Sequence, residues 1–189
     1  MSAVWCWACQ QAWPHCPRDA GSLRILGFGG EFIGEEMAAA MDNEQIVSSA
    51  CREIVDLTRD RKSVLIFTTS VEHCKHVAEK IQAYSGQECA IVTGDTSAGE
   101  RAEIIARFKG ELVPADLFGN AKPQLKFLAN VNVLTTGFDA PNTDCVVLLR
   151  PTNSAGLLIQ MVGLLTLGTT LWASQVVLVV KNCLPVQYT

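Results

Sequence analysis

The chain has 189 residues, of which 49% are hydrophobic and 18% charged, and its formal net charge is −4. This length and apolar fraction suffice for one domain with a sizeable core, and they exclude wholesale disorder. The negative charge excludes a global basic footprint, so nucleic-acid binding would need a local patch or a partner that supplies positive charge.

Residues 1–30 are an irregular leader of tryptophan, cysteine, proline and glycine without a sustained period, and disorder is one interpretation of it. Cys6 and Cys9 form a well-spaced zinc-ligand pair, but His15 and Cys16 are adjacent and too close to the first pair for the usual knuckle. These four residues are therefore weak metal candidates, and a leader without metal is the alternative. The leader has no secretory pattern, and irregularly spaced cysteines favour reduced thiols in the cytoplasm.

Two helices with apolar residues at helical spacing are predicted next, with Asp42 or Asn43 as the N-cap between them. The run "SVLIFTT" is typical of a buried strand, and "SVEHCKHVAEKIQAY" predicts an amphipathic helix that Ser70 caps. On that helix we expect His73 and His76 to lie on a solvated face, with a metal-binding pair as the alternative.

A second strand, "CAIVTGD", precedes the helix "SAGERAEIIARFKG", which Gly110 ends. The runs "LKFLANVNVLTTG" and "CVVLLRPT" predict two further strands, and residues 111–124 read as a loop insertion rich in proline and glycine. Strands that alternate with helices of this length predict an α/β fold, a parallel sheet with helices on both faces.

Polar residues follow three of these strands, in "TTS" (68–70), "TGDT" (93–96) and "VLTTGFDAP" (133–141). We call these three segments the first, second and third strand tips. Each tip alone could be a turn or a helix cap. Because ligands collect at the carboxyl ends of parallel strands, the three together predict a binding site. Arg101, just after the second tip, could reach a phosphate or pair with Glu100 or Glu103.

Four blocks give these tips a family context: "SVLIFTTSVEHCKHVAEKI", "AIVTGDTSAGERAEIIARFKG", "FLANVNVLTTGFDAPNTDCVVLLRPT" and "LIQMVG". In order and spacing they resemble the second, C-terminal RecA-like lobe of superfamily 2 helicases of the DEAD/DEAH type, most closely the RadD-like DNA helicases of bacteria and phages. The resemblance implies a RecA-like helicase C-terminal domain over residues 31–163. It also implies that the chain is part of an ATP-dependent DNA helicase.

The family assigns roles to the three tips and to the last block. The resemblance implies nucleic-acid contacts by Thr68, Thr69, Ser70, Thr93, Gly94, Thr96, Thr135 and Thr136. It implies nucleotide contacts by Gly137, Asp139, Gln160 and Gly163. Hydroxyl and main-chain N–H groups suit a translocating motor, because they bind phosphate without reading bases.

The chain departs from the family in two places that matter for catalysis. The 189 residues contain no G-x-x-x-x-G-K-S/T and no Asp-Glu pair of the DEAD/DEAH kind, so the phosphate-cradling lysine and the Mg²⁺-holding acids are absent. Leu164 and Leu167 stand where the family has arginines that reach the transferring phosphate. We therefore expect no catalytic residue here, and ATP with Mg²⁺ only together with an N-terminal RecA-like lobe.

The tail at residues 164–189 no longer follows the family, and residues 151–180 carry no charge. A membrane-spanning helix is one interpretation, but glutamine, threonine, serine and glycine dilute the apolar signal, so we expect no membrane partner. "VVLVV" could instead pair as an edge strand. The alternatives to a helicase lobe are a truncated, non-catalytic nucleic-acid-binding or interaction module and a membrane-tethered protein. We expect DNA rather than RNA as the nucleic acid.

We expect the purified chain to show no nucleic-acid-stimulated ATP hydrolysis, because the groups that hold the triphosphate and Mg²⁺ are missing from its sequence. Phosphate release with and without single-stranded DNA measures this directly. Turnover above background that Asp139→Ala abolishes would contradict the prediction.

Overall fold

The computed structural model describes residues 34–111, 122–131, 133–134, 142–150, 152, 154–163 and 176–179. The leader at 1–30, most of the predicted insertion and most of the tail lie outside these ranges, so the predicted domain bounds stay predictions. The elements are, in chain order, α1 (Gly34–Met41), α2 (Glu44–Leu57), β1 (Val64–Phe67), α3 (Val71–Ser85), β2 (Cys89–Val92), α4 (Ala98–Lys109), β3 (Phe127–Asn130), β4 (Cys145–Leu148), α5 (Ala155–Gly163) and β5 (Val176–Val179).

The five strands form one sheet in the order β2-β3-β1-β4-β5, and every neighbouring pair is parallel. Parallel neighbours need crossover connections, and α3 and α4 provide those from β1 to β2 and from β2 to β3. The predicted α/β fold with a RecA-like parallel sheet is confirmed.

The sheet is buried on both faces, which explains why its strands are continuous apolar runs. Along β1, Val64 and Ile66 belong to one core cluster, while Leu65 and Phe67 belong to the other. The first cluster includes the inner faces of α2 and α3, and the second includes Phe108 of α4 and residues of α5. Helices therefore cover both faces of the sheet, as predicted.

Local capping signals in the sequence set the helix ends. Asn43 is the N-cap of α2, and its side-chain oxygen accepts the Gln45 N–H at 3.0 Å, which selects one of the two predicted caps. Ser70 caps α3, as predicted. Gly110 ends α4 with φ of 75°, a left-handed conformation that glycine adopts without the strain of a side chain.

Hydrogen bonds between side chains join α3 to α2 and to Asp42, which lies between α1 and α2. Positions 76, 80 and 84 of α3 recur once per helical turn and so share a face. The pairs are His76 with Asp42, Lys80 with Glu44 and Ser48 with Tyr84. The predicted solvated position is correct for His76, whose side chain is 51% exposed.

The uncharged segment at 151–180 contains a nine-residue helix, α5, and the four-residue strand β5. β5 pairs in parallel with β4, from Cys145 opposite Val176 to Leu148 opposite Val179. The prediction that "VVLVV" can pair at the edge of the sheet is confirmed. Within the described ranges, no helix has the length and apolarity needed to cross a membrane.

The buried guanidinium of Arg107 links α4 to the residue before β2 and to the segment before β3. Its guanidinium makes two hydrogen bonds to the Glu88 carboxylate, at 3.2 and 2.6 Å, and its Nε donates to the Pro123 carbonyl at 3.1 Å. Glu88 directly precedes β2, and Pro123 precedes β3. A planar guanidinium suits this arrangement because it donates in several fixed directions at once.

We expect Arg107→Met to lower the free energy of unfolding by about 1–3 kcal/mol, because it leaves the Pro123 carbonyl and the Glu88 carboxylate without their donor. Urea unfolding followed by circular dichroism gives this value. Arg59→Met is the matched control: its ion pair with Asp56 is exposed, and its loss should change stability by about 0.5 kcal/mol or less. Equal effects of the two substitutions would contradict the assignment.

Candidate nucleic-acid interface

The carboxyl ends of four strands meet in register at one edge of the sheet. Phe67 at the end of β1 lies opposite both Asn130 of β3 and Leu148 of β4, and Asn130 also lies opposite Val92 of β2. The tips that begin at Thr68 and Thr93 therefore lie at the same edge. This carboxyl edge, the ends of β1 to β4 with the residues that follow them, is the site that the polar tips predicted.

Thr68 begins the first tip, and both of its hydrogen-bond donors point into the protein. It is buried, and both its main-chain N–H and its hydroxyl donate to the Asn130 carbonyl at 3.0 Å. The Asn130 side chain is also buried and donates from Nδ2 to the Ile66 carbonyl at 3.1 Å. Asn130 thus joins the ends of the two central strands, a role that the sequence analysis missed.

Thr69 is buried and makes its contacts with His73 in the first turn of α3. The Thr69 hydroxyl lies 2.8 Å from His73 Nδ1, and the Thr69 N–H points to the same nitrogen at 3.4 Å. The predicted solvated position of His73 is wrong: the side chain is 1% exposed. His73 precedes Cys74 on the buried face of α3, and the Thr69 bonds satisfy a polar group that burial would otherwise penalise.

Burial lowers the pKa of His73 to about 4, because a charged imidazole would lose its hydration inside the protein. The nearby Asp42 carboxylate opposes this effect, and the His76 imidazole adds to it. His73 is therefore neutral at physiological pH. His76, by contrast, has its pKa raised, chiefly by its hydrogen bond to Asp42.

Ser70 ends the first tip, and its hydroxyl accepts the His73 N–H at 3.1 Å as the cap of α3. The main-chain N–H groups in the first turn of any helix lack acceptors within that helix, and they carry its positive dipole end. At the β1 tip, these groups lie beside the carboxyl edge.

The second tip, Thr93 to Thr96, is a closed turn. The Thr96 hydroxyl accepts the Thr93 N–H at 2.9 Å, and the Thr96 N–H donates to the Thr93 carbonyl at 3.3 Å. Gly94 is exposed in this turn, and a Cβ built there would meet nothing within 4 Å. The predicted nucleic-acid contacts of Thr93, Gly94 and Thr96 stay predictions.

Arg101 is bonded to the second tip. One of its terminal nitrogens donates to the Thr93 carbonyl at 3.3 Å and to the Thr96 carbonyl at 3.2 Å. Among the described residues, Glu103 instead pairs with Lys122, so the predicted ion pair between Arg101 and a neighbouring glutamate is wrong. The Arg101 guanidinium therefore bonds two main-chain carbonyls of the second tip, whereas an exposed ion pair would contribute little to stability.

The third tip begins where β3 leads into Val133 and the buried Leu134. Four residues with predicted roles follow, and all lie outside the described residues: Thr135, Thr136, Gly137 and Asp139. Gln160 is exposed on α5 and Gly163 ends that helix. The roles of all six residues stay predictions.

Metal-binding groups can be assessed only in part, because Cys6, Cys9, His15 and Cys16 lie outside the described ranges. Within those ranges, no group of three or more His, Cys, Asp or Glu residues could hold a metal ion. The four described cysteines are buried and free. Burial raises the pKa of Cys51 to about 12, so this thiol stays protonated.

Comparisons with known sequences agree with this arrangement. The family model described as "Helicase conserved C-terminal domain" matches residues 46–163. The chain is 27% identical over 159 residues to a protein of Saccharomyces cerevisiae whose name describes an ATP-dependent helicase, IRC3. It is 29% identical over 140 residues to one of Schizosaccharomyces pombe whose name describes a mitochondrial ATP-dependent helicase, irc3. The alignments cover 83% and 74% of this chain but only 21% of each yeast protein.

A comparison with solved structures supports the fold. The chain superposes on the Escherichia coli DEAD-box protein SrmB, solved with the regulator of ribonuclease activity A, with a TM-score of 0.56 and 14% identity. This match covers 72% of the present chain and 71% of the SrmB chain.

We expect the burial of neutral His73 to make the protein less stable in acid. The pKa of His73 is lower in the folded state than in the unfolded state. The folded protein therefore has its full stability above about pH 6.5, and it loses this contribution to the free energy of unfolding as the pH falls towards 4. The lowering from 6.5 to about 4 corresponds to about 3 kcal/mol. Urea unfolding at pH 7 and pH 4.5 should therefore show a smaller loss for His73→Asn than for the unsubstituted protein. His76→Asn is the control and should keep that acid-dependent loss, whereas equal losses for all three proteins would contradict the prediction.

Proposed function

Because the chain belongs to the helicase conserved C-terminal domain family, as a C-terminal lobe of a superfamily 2 helicase, we propose that it holds the nucleic-acid backbone for an ATP-dependent helicase. In this proposal the carboxyl edge binds phosphates of single-stranded DNA. The same lobe closes part of an ATP site whose remaining groups come from an N-terminal RecA-like lobe, and it does not hydrolyse ATP alone.

The observation that carries the proposal is the register of β1, β2 and β3, which brings the first two polar tips to one edge. Val133 and Leu134, the described residues of the third tip, follow β3 in the chain. Main-chain N–H groups, together with the close backbone approach that an exposed glycine allows, suit the binding of a nucleic-acid backbone without reading its bases. Such contacts suit a lobe that must release and rebind a strand of any sequence.

ATP and Mg²⁺ enter the proposal only as ligands of the two-lobe enzyme. In this proposal the Mg²⁺ ligands come from the other lobe; within the described residues of this chain, no group of three or more His, Cys, Asp or Glu could hold a metal ion. Gln160 is exposed, as a residue that faces a nucleotide between two lobes would be. When bound, the metal would neutralise charge that develops on the phosphates.

A second candidate function is a non-catalytic nucleic-acid-binding module, and the residues after α5 favour it. Leu164 and Leu167 supply no charge to a transferring phosphate, whereas an arginine there is worth several powers of ten in rate. The two candidates differ in one test. The test combines Leu164→Arg and Leu167→Arg in this chain and adds a P-loop lobe in trans. ATP hydrolysis should return only if the chain derives from a working helicase.

We expect Gly94→Glu to weaken the binding of single-stranded DNA by about fivefold to tenfold. The substitution is sterically open, and it places a carboxylate at the carboxyl edge, where it would repel phosphates. Fluorescence anisotropy of a labelled oligonucleotide at low and moderate salt measures the affinity.

Gln124→Glu adds the same charge at the opposite edge, before β3, and Gln124 is exposed. This control should bind DNA like the unsubstituted chain. Equal weakening by the two substitutions would indicate a general charge effect and contradict an interface at the carboxyl edge. Tighter binding of an RNA strand of equal length would contradict the proposed preference for DNA.

A further inference from the structure

Asp42 and Asn43 form the break between α1 and α2, and each of them belongs to a different helix. The Asp42 main-chain N–H donates to the Ala38 carbonyl at 2.9 Å, which continues the hydrogen bonding of α1. The Asn43 carbonyl instead accepts the Val47 N–H at 2.8 Å, and the Asn43 backbone is extended, with φ of −97° and ψ of 128°. A rotation of α1 about this junction would therefore carry Asp42 with it and leave Asn43 on α2.

α1 is held to the protein by apolar burial and by a polar contact at its C-terminal end. Met37 and Met41 are each 2% exposed, so the helix buries these two side chains. The Asp42 carboxylate, 18% exposed, accepts a hydrogen bond from His76 Nδ1 of α3 at 2.7 Å. A helix of eight residues is too short to be stable alone, so α1 depends on such contacts.

The charges around His76 favour its protonated form while α1 is in place. Its pKa is raised chiefly by the hydrogen bond to Asp42, and loss of hydration opposes this effect. The charges of three carboxylates raise it further, those of Asp42, Glu79 and Glu44. The imidazole of His73, also on α3, stays neutral above about pH 6, because burial lowers its pKa to about 4.

The position of α1 is therefore linked to the protonation of His76. If α1 moves away, Asp42 moves with it, and the pKa of His76 returns towards its ordinary value of 6.5. The contact consequently contributes fully below about pH 6.5, and its contribution is lost as the pH rises through the raised value. The ion pair of Lys80 with Glu44, one turn further along α3, joins α3 to α2 instead. The pKa of Lys80 is raised, so this pair keeps its lysine charge in the same range.

We propose that the contact between Asp42 and His76 is a pH-sensitive latch, which holds α1 in place while His76 is protonated and lets it move about the junction between Asp42 and Asn43 once His76 is neutral. The latch lies on the outer face of α3 and does not rest on the proposed function. Because α1 joins the preceding chain to the sheet and its helices, the latch sets how firmly that chain is attached.

Hydrogen exchange of the α1 amides tests the latch, with rates at about pH 6 and about pH 8 corrected for the intrinsic effect of pH on exchange. Protection of α1 should fall by about twofold to fivefold at the higher pH, the change expected when one partly exposed ion pair is lost. His76→Gln keeps an amide donor for Asp42 but cannot become charged, so it should remove this pH dependence. Lys80→Gln is the matched control: it breaks the neighbouring pair and should keep the pH dependence.

Equal protection of α1 at the two pH values in the unsubstituted protein would overturn the proposal. A pH dependence that persists in His76→Gln would also overturn it, because another group would then be responsible. Loss of the pH dependence in Lys80→Gln as well as in His76→Gln would assign the effect to the general charge of α3 and would contradict a latch at Asp42.

An NMR titration of the His76 imidazole tests the linkage from the other side. In the unsubstituted protein the pKa of His76 should lie above 6.5. Asp42→Asn should lower it towards that value, because the amide carries no charge. A pKa of His76 that is the same in both proteins would overturn the proposal, whatever the exchange rates show.

Discussion

The in-register parallel pairing of β1 with β3 and β4 is the constraint on which the candidate interface depends. These strands are four residues long, and their last residues lie directly opposite one another. The loops that follow therefore leave the sheet at one edge. Because side chains alternate between the two faces of a strand, a slip of one residue would exchange the core positions Val64 and Leu65 and move Thr68 to the other face. Burial of both faces prevents such a slip.

The same edge shows how hydrogen-bond donors are divided between folding and binding. A buried hydroxyl needs a partner, and at this edge Thr68 and Thr69 find theirs in the protein. A terminal nitrogen of Arg101 bonds two carbonyls of the second tip, but its buried Nε has no partner among the described residues. Main-chain N–H groups at helix ends are among the groups left for an anion. In a chain with a net charge of −4, these helix dipoles bind a phosphate weakly. A second lobe that supplies cations would therefore strengthen the binding of a nucleic-acid backbone.

Much of the fold could be predicted from the sequence because the signals are local. The caps at Asn43 and Ser70 and the end at Gly110 depend on neighbouring residues alone. The apolar runs of the strands follow from burial on both faces. The positions of His73 and Arg107 could not be predicted in this way. His73 is buried because Thr69 satisfies it, and Arg107 because Glu88, 19 residues away, meets it in space.

The sequence by itself determined the order of strands and helices, the family and the three polar tips. Each of these depends on residues that are neighbours in the chain. Only the tertiary structure decided which of the polar groups at those tips are still available to a ligand. Thr68 and Thr69 look equally suited to bind a phosphate in the sequence "TTS". Their donors are occupied by Asn130 and His73, and a hydroxyl has only one proton to donate.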